Sequence, residues 1–114
     1  MDNMLAKLKD YGADIDGTMA RFLDDVDLYK SCFAKYLQDE AFDKLGRALS
    51  EKDYKSAFEY AHTLKGITGN MGLTPLYSDI CNIVEALRET DYSCLLSYYT
   101  EVLNQLKILR AIQE

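Results

Sequence analysis

Histidine occurs once in the chain, at position 62, and glycines surround it within a helical pattern. Three glycines follow it, at positions 66, 69 and 72. A glycine inside a helix costs about 1 kcal/mol relative to alanine, so each of them needs a reason. Gly66 and Gly69 fall one and two turns after His62 and therefore share its side of the helix. Bare backbone beside a single imidazole indicates that a large group must approach the ring.

Phosphoryl transfer is the chemistry that this arrangement favours. A neutral imidazole is a competent nucleophile near neutral pH. Lys65 lies three residues after His62, on the same side, and can offset negative charge that is delivered to the ring. Glycine allows another backbone to come close. A transferred phosphoryl group carries its charge on oxygen atoms, and its transfer depends mostly on positioning and electrostatics.

Two other interpretations of the same residues stay open at this point. A surface histidine beside a lysine is common in proteins, and paired glycines can mark close helix packing instead of access. A metal site is not predicted, because one histidine and three cysteines without ligand spacing provide no cluster of metal ligands.

Length, composition and charge restrict the class of protein. The chain has 114 residues, 48% of them hydrophobic and 28% charged, which predicts one globular domain, residues 1–114. The sequence has no run of 18 apolar residues, so no transmembrane helix is predicted. The net charge of −6 argues against nucleic-acid and anionic-membrane partners. The N-terminus lacks a basic region followed by an apolar stretch, so we expect a cytoplasmic protein without a signal peptide, and we expect a monomer.

Helical periodicity covers nearly the whole chain, and strand patterns are absent. The helical segments lie at about residues 3–10, 15–23, 40–50, 54–71 and 75–90. A further helix, with Asp24, Asp25 and Asp27 as possible caps, includes residues 29–37, and the last helix starts at Asp91 or Ser93 and includes residues 95–109. Asp53 is a predicted N-cap, and Gly72 a predicted end, of the helix that carries His62. Thr74 is predicted to cap the next helix through its hydroxyl, with Pro75 at the first helical position. Short connections between amphipathic helices predict an all-α, up-and-down bundle.

A helical projection places His62 away from the core. At about 100° per residue, one face gathers small and apolar side chains, and His62 points about 140° away from the first of them. That core face consists of Ala57, Ala61, Leu64, Thr68 and Met71. The histidine is therefore predicted to be exposed near the middle of its helix.

The segment 62–66, His-Thr-Leu-Lys-Gly, resembles the His-x-Leu-Lys-Gly segment of histidine-containing phosphotransfer (HPt) domains. The glycines at 69 and 72 fit the same pattern. Residues 15–23 and 27–33 are similar to the first bundle helices of that family, and residues 76–87 resemble the helix after the histidine helix. The resemblance covers about residues 12–90.

The resemblance implies a four-helix bundle with an added N-terminal helix. It implies that His62 is the phosphoryl acceptor, through Nε2, that Lys65 stabilises the phosphoryl group, and that Gly66 clears space for the partner. The partner would be a response-regulator receiver domain, alone or in a hybrid histidine kinase, which brings its own aspartate and Mg²⁺. No cofactor of the chain itself is expected. Phe58 and Gly69 would help to dock that partner. Ile15 and Met19 lie on the second helix, and they would join this docking surface if that helix packs alongside.

One departure from the family concerns the orientation of the imidazole. Relatives often place a glutamine on the following helix to hold Nδ1 of the histidine. Ungapped counting places Val84 at that position, with Asn82 two residues earlier.

Four functions compete at the level of sequence. The first is a phosphorelay intermediate, in which His62 takes a phosphoryl group from one receiver aspartate and passes it to another. The second is a binding module that docks a receiver or kinase without carrying phosphate. An autonomous enzyme such as a kinase is not supported, because no Gly-rich nucleotide loop is present. A purely structural bundle leaves the glycines around His62 unexplained.

Overall fold

Seven α-helices and no strand occur in residues 2–113, the part of the chain that the computed structural model describes. The helices are α1 (Asn3–Tyr11), α2 (Ile15–Arg21), α3 (Val26–Leu37), α4 (Ala41–Ser50), α5 (Tyr54–Asn70), α6 (Thr74–Arg88) and α7 (Leu95–Gln113). The prediction of an all-α chain is confirmed, and the predicted segments correspond to these helices. None of the helices described has the length and apolar content that crossing a membrane requires.

Aspartate caps and left-handed glycines set most of the helix ends. The carboxylate of Asp53 accepts a hydrogen bond from the backbone N–H of Ser56 at 3.2 Å, which confirms the predicted start of α5. Gly72 follows α5 with a φ of +73°, a conformation that favours glycine. The predicted capping role of Thr74 is wrong. Because the turn at Gly72 leads the chain directly into α6, Thr74 is already helical and its hydroxyl donates to the Gly72 carbonyl at 3.5 Å.

The second helix ends earlier than its periodicity predicts. Leu23 was expected to be its last residue, but α2 ends at Arg21. Leu23 and Asp24 adopt φ values of +54° and +58°, and the Leu23 side chain is 88% exposed. This turn is fixed by its neighbours, because the Asp25 carboxylate caps α3 through the backbone N–H of Leu28. The spacing of hydrophobic residues alone does not predict a turn of this kind, in which the chain reverses direction.

Helix α5 packs against the rest of the bundle with one of its faces only. It packs against α4 and α6, while α6 packs against α7, and α7 also contacts α1, α3 and α4. The core face predicted for α5 is confirmed, since all five side chains are buried: Ala57, Ala61, Leu64, Thr68 and Met71. The opposite side of α5 therefore remains available to solvent.

Hydrogen bonds fasten the N-terminal part of the chain to the end of α5. The backbone N–H of Asp14 donates to the Gly72 carbonyl at 2.9 Å. The buried hydroxyl of Tyr29 donates to the Met71 carbonyl, also at 2.9 Å. These bonds place α2 and α3 beside the C-terminal turn of α5, two turns beyond His62.

The turn after α2 yields a prediction about stability. Leu23→Gly should raise the free energy of unfolding by about 0.5–1 kcal/mol. The left-handed conformation costs a residue with a side chain roughly 1–2 kcal/mol, and its relief outweighs the extra freedom of glycine in the unfolded chain, which is worth about 0.5–1 kcal/mol. Urea denaturation of both proteins measures the difference.

The matched control is Leu103→Gly, since Leu103 is also an exposed leucine, at 41%, but lies inside α7. Glycine there should lower the free energy of unfolding by about 1 kcal/mol. Destabilisation by both substitutions would show that the turn does not strain Leu23.

Candidate functional site

His62 lies at the centre of α5 and is exposed, as the helical projection predicts. Its side chain lines an open groove of about 460 Å³ on the free side of the helix. The other residues that line this groove, which we call the histidine groove, are Arg21, Lys65, Gly66, Gly69, Asn70 and Tyr77. Three helices, α2, α5 and α6, therefore contribute to the surroundings of one imidazole.

The histidine groove is cationic, although the chain carries a net charge of −6. Lys65 follows His62 by one turn and is half-buried, and Arg21 enters from α2. None of the described residues that line the groove is acidic. Such a concentration of positive charge attracts an anionic group to the place where the imidazole can react with it.

The two glycines of the groove differ in what surrounds them. A Cβ atom added at Gly66 would meet no other group within 4 Å, so the space beside His62 is open there. A Cβ atom at Gly69 would lie 3.2 Å from the ring of Tyr77. Gly66 thus leaves access to the imidazole, whereas Gly69 also makes room for a side chain of α6.

The structure separates the four residues predicted to dock a partner. Phe58 is half-buried beside His62, and Gly69 is exposed in the groove. The prediction for Ile15 and Met19 is wrong, because their side chains are only 3% and 8% exposed and belong to the hydrophobic core. They face inward because α2 is short and uses its apolar side to pack against the bundle. A charge at Met19 would therefore disturb the fold before it affected a surface.

Neither of the two candidates on α6 holds the imidazole. Val84 is fully buried in the core, and Asn82 is exposed. The contact that His62 does make is with the ring of Phe58, one turn earlier on α5, at a centroid distance of 5.7 Å and an interplanar angle of 29°.

Arg21 was not singled out from the sequence, yet it connects α2 to the site. Its Nη2 atom donates to the carbonyls of Gly69 at 3.3 Å and of Asn70 at 3.1 Å. The positive guanidinium therefore satisfies carbonyls at the negative end of α5. Arg21 and Gly69 are 48 residues apart, so no local pattern could have indicated this contact.

Tyr77 is another groove residue that the sequence did not indicate. Its pKa is raised, and the neighbouring side chain of Cys81 is the main cause. Its ring lies beside Gly69 and forms the α6 wall of the histidine groove.

No group of three or more histidine, cysteine, aspartate or glutamate side chains is placed to hold a metal ion in the part of the chain that is described. The groove instead offers one nucleophile, two cations and open space. This combination can bind an anion and accept an electrophilic group on the imidazole.

Comparison with known families agrees with this chemistry. A family model described as the Hpt domain matches residues 36–111, two thirds of the chain. The matched range includes all of α4, α5 and α6 and most of α7. No curated protein and no solved structure gives a significant match.

The open space at Gly66 leads to a prediction about access. Gly66→Gln should slow the acylation of His62 by diethyl pyrocarbonate, because the new side chain stands beside the imidazole. The fold should become more stable by about 0.5 kcal/mol, since glutamine is the better helix former. The single histidine makes absorbance of the modified ring an unambiguous measure of the reaction rate.

Gly69→Gln is the matched control, one turn further along the same side of α5. Its Cβ atom would press on Tyr77, so this variant should be less stable than Gly66→Gln while protecting His62 less. Equal acylation rates in wild type and Gly66→Gln would show that Gly66 does not control access.

Proposed function

The chain belongs to the Hpt domain family, and on this basis we propose that it is a phosphorelay intermediate. Hpt domains have a phosphotransfer role in two-component signalling and act as carriers that interact with response-regulator receivers and kinases. In the proposed relay, His62 takes a phosphoryl group from the aspartate of one receiver domain and passes it to the aspartate of another. The observation that supports this most is the exposed imidazole at the centre of α5, with Lys65 one turn away and open space at Gly66.

The transfer step is a displacement at phosphorus. The lone pair of His62 Nε2 forms the N–P bond while the bond from phosphorus to the aspartyl oxygen of the donor breaks, and the donor carboxylate leaves with the electron pair. Transfer onward reverses these roles, since the carboxylate of a second receiver attacks phosphorus and the imidazole leaves. The negative charge stays on the phosphoryl oxygens throughout, which is where a cation is useful.

Lys65 and Gly66 have separate roles in this proposal. The ammonium group of Lys65 is close enough, at i+3, to contact phosphoryl oxygens without forming a covalent bond. Gly66 leaves the space through which the active site of the receiver reaches the ring. Mg²⁺ would come with the acidic residues of the receiver, and the chain itself would need no cofactor.

The finer architecture is also part of the proposal. Helices α3 and α4 would together form the first long arm of an up-and-down four-helix core, completed by α5, α6 and α7. The contacts of α4 with α5, α5 with α6, α6 with α7, and α7 with both α3 and α4 support this arrangement. Helices α1 and α2 would be additions at the N-terminal side. We propose further that residues 1–114 act as one cytoplasmic, monomeric domain.

The decisive experiment is phosphorylation by a receiver domain that carries labelled aspartyl phosphate. Wild-type protein should gain a phosphate that is labile in acid and stable in base, and His62→Gln should gain none. Because the side chain of His62 is exposed, its replacement should change the free energy of unfolding by no more than about 0.5 kcal/mol.

Two outcomes would count against the proposal. Label retained by His62→Gln would mean that another residue is the acceptor. A wild-type protein that binds the receiver but never takes up label would instead be a docking module without phosphotransfer.

Lys65→Ala should slow phosphoryl transfer without abolishing it. One charge-assisted contact is worth roughly 1.5–3 kcal/mol, which corresponds to about 10- to 150-fold in rate at about 1.4 kcal/mol per decade. Lys65 is partly exposed, so solvent screening should keep the effect near the low end. Single-turnover transfer from a phosphorylated receiver measures it.

Lys55→Ala is the matched control, because it removes the same charge from the same side of α5 two turns before His62. Lys55 is exposed, and its loss should change the rate less than twofold. Equal rates in Lys65→Ala and wild type would show that Lys65 is ordinary surface charge.

A further inference from the structure

Among residues 2–113, no side chain or backbone group holds the His62 ring by a hydrogen bond. None of the side-chain hydrogen bonds found within residues 2–113 involves the imidazole. Rotation of a histidine ring about its last side-chain torsion is broad and roughly two-fold. A nucleophile whose nitrogen must align with phosphorus needs another constraint on that rotation.

Phe58 provides the contact that can act as this constraint. The two rings are close to parallel, at an angle of 29°, with their centroids 5.7 Å apart, which is an offset-stacked geometry. Phe58 is half-buried and packs against the hydrophobic core, so its own ring is held from the other side. Through this stack, the ring of Phe58, which packs against the core, restricts the orientations open to the exposed ring of His62.

Arg88 of α6 contacts the Phe58 ring in turn. Its guanidinium carbon lies 5.7 Å from the centroid of the Phe58 ring, in the range of a cation–π contact. Arg88 is itself paired with Glu85, one turn earlier on α6, at 2.6 Å. A continuous series of contacts therefore runs from Glu85 through Arg88 and Phe58 to His62.

We propose that Phe58, supported by Arg88, is the positioning residue that orients the His62 imidazole for phosphoryl transfer. This inference rests on the function proposed above and specifies how the nucleophile is held. It also replaces the docking role that the sequence predicted for Phe58, and the two roles have different kinetic signatures. A positioning residue affects the maximal rate of transfer within the docked complex, whereas a docking residue affects the receiver concentration that gives half of that rate.

Phe58→Leu and Phe58→Tyr test the proposal as a pair. Leucine keeps apolar volume but removes the ring, so the maximal single-turnover rate should fall roughly 3- to 10-fold, the equivalent of about 0.6–1.4 kcal/mol. The half-saturating receiver concentration should stay within about twofold. Tyrosine retains the stacked ring and should restore the wild-type rate. Arg88→Gln should give a smaller loss, about twofold, because it removes only the support of Phe58.

Tyr54→Leu is the matched control. Tyr54 lies one turn before Phe58 on α5 and stacks on Tyr92 at a centroid distance of 3.7 Å, so its replacement also removes an aromatic stack. This variant should transfer phosphate at the wild-type rate. Equal losses in Tyr54→Leu and Phe58→Leu would overturn the proposal, as would a Phe58→Leu effect confined to the half-saturating concentration.

An NMR measurement tests the orientation without any phosphate. In wild type, the carbon-bound ring protons of His62 should show nuclear Overhauser contacts to the Phe58 ring and a ring-current shift. That shift should be lost in Phe58→Leu and kept in Phe58→Tyr. Absence of these contacts in wild type would overturn the proposal even if Phe58→Leu failed to fold. If wild type shows the contacts but never accepts phosphate, the proposed function fails while the ring stack stands.

Discussion

Burial of one narrow face of α5 is the interaction on which the rest of the structure depends. Ala57 and Ala61 are completely buried, and their small side chains allow α4 and α6 to pack directly on the helix. Leu64 continues the same buried stripe. Because the neighbouring helices gather around this face, the opposite side of α5 needs no covering. The same packing that fixes the backbone of residue 62 therefore also leaves its side chain free.

Hydroxyl groups secure α5 where apolar packing alone would allow it to slide. The hydroxyls of Tyr36 and Thr68 bond to each other inside the core, and Thr68 also bonds to the Leu64 carbonyl. Tyr29 bonds to the Met71 carbonyl at the end of the helix. Burial raises the pKa of Tyr29 to about 12. The two tyrosine bonds fix the axial position of α5 relative to α3, and with it the position of His62 along the bundle.

Local sequence patterns were sufficient for the features that depend on neighbours within one helix. The exposure of His62 and the buried face of α5 follow from periodicity, and the start of α5 follows from the capping aspartate Asp53. Features that depend on distant contacts were not accessible in this way. Met19 has helical spacing that fits either a core or a docking surface, and only the packing of α2 decides between them. Arg88 reaches Phe58 across 30 residues of sequence, so their contact could not be predicted from spacing.

A carrier in a relay must hold its nucleophile firmly without binding the phosphoryl group too tightly. Each charge-assisted contact to that group contributes roughly 1.5–3 kcal/mol, and every 1.4 kcal/mol of excess stability slows onward transfer about tenfold. The histidine groove suits this requirement, because it places one partly exposed lysine beside the imidazole instead of an enclosed set of donors. In the proposed positioning role, the Phe58 ring would add rigidity but no charge, and so would align the nitrogen without stabilising the phosphorylated state. Positioning by Phe58 would then be separate from binding by Lys65, and a phosphoryl group that must both arrive and leave is served by that separation.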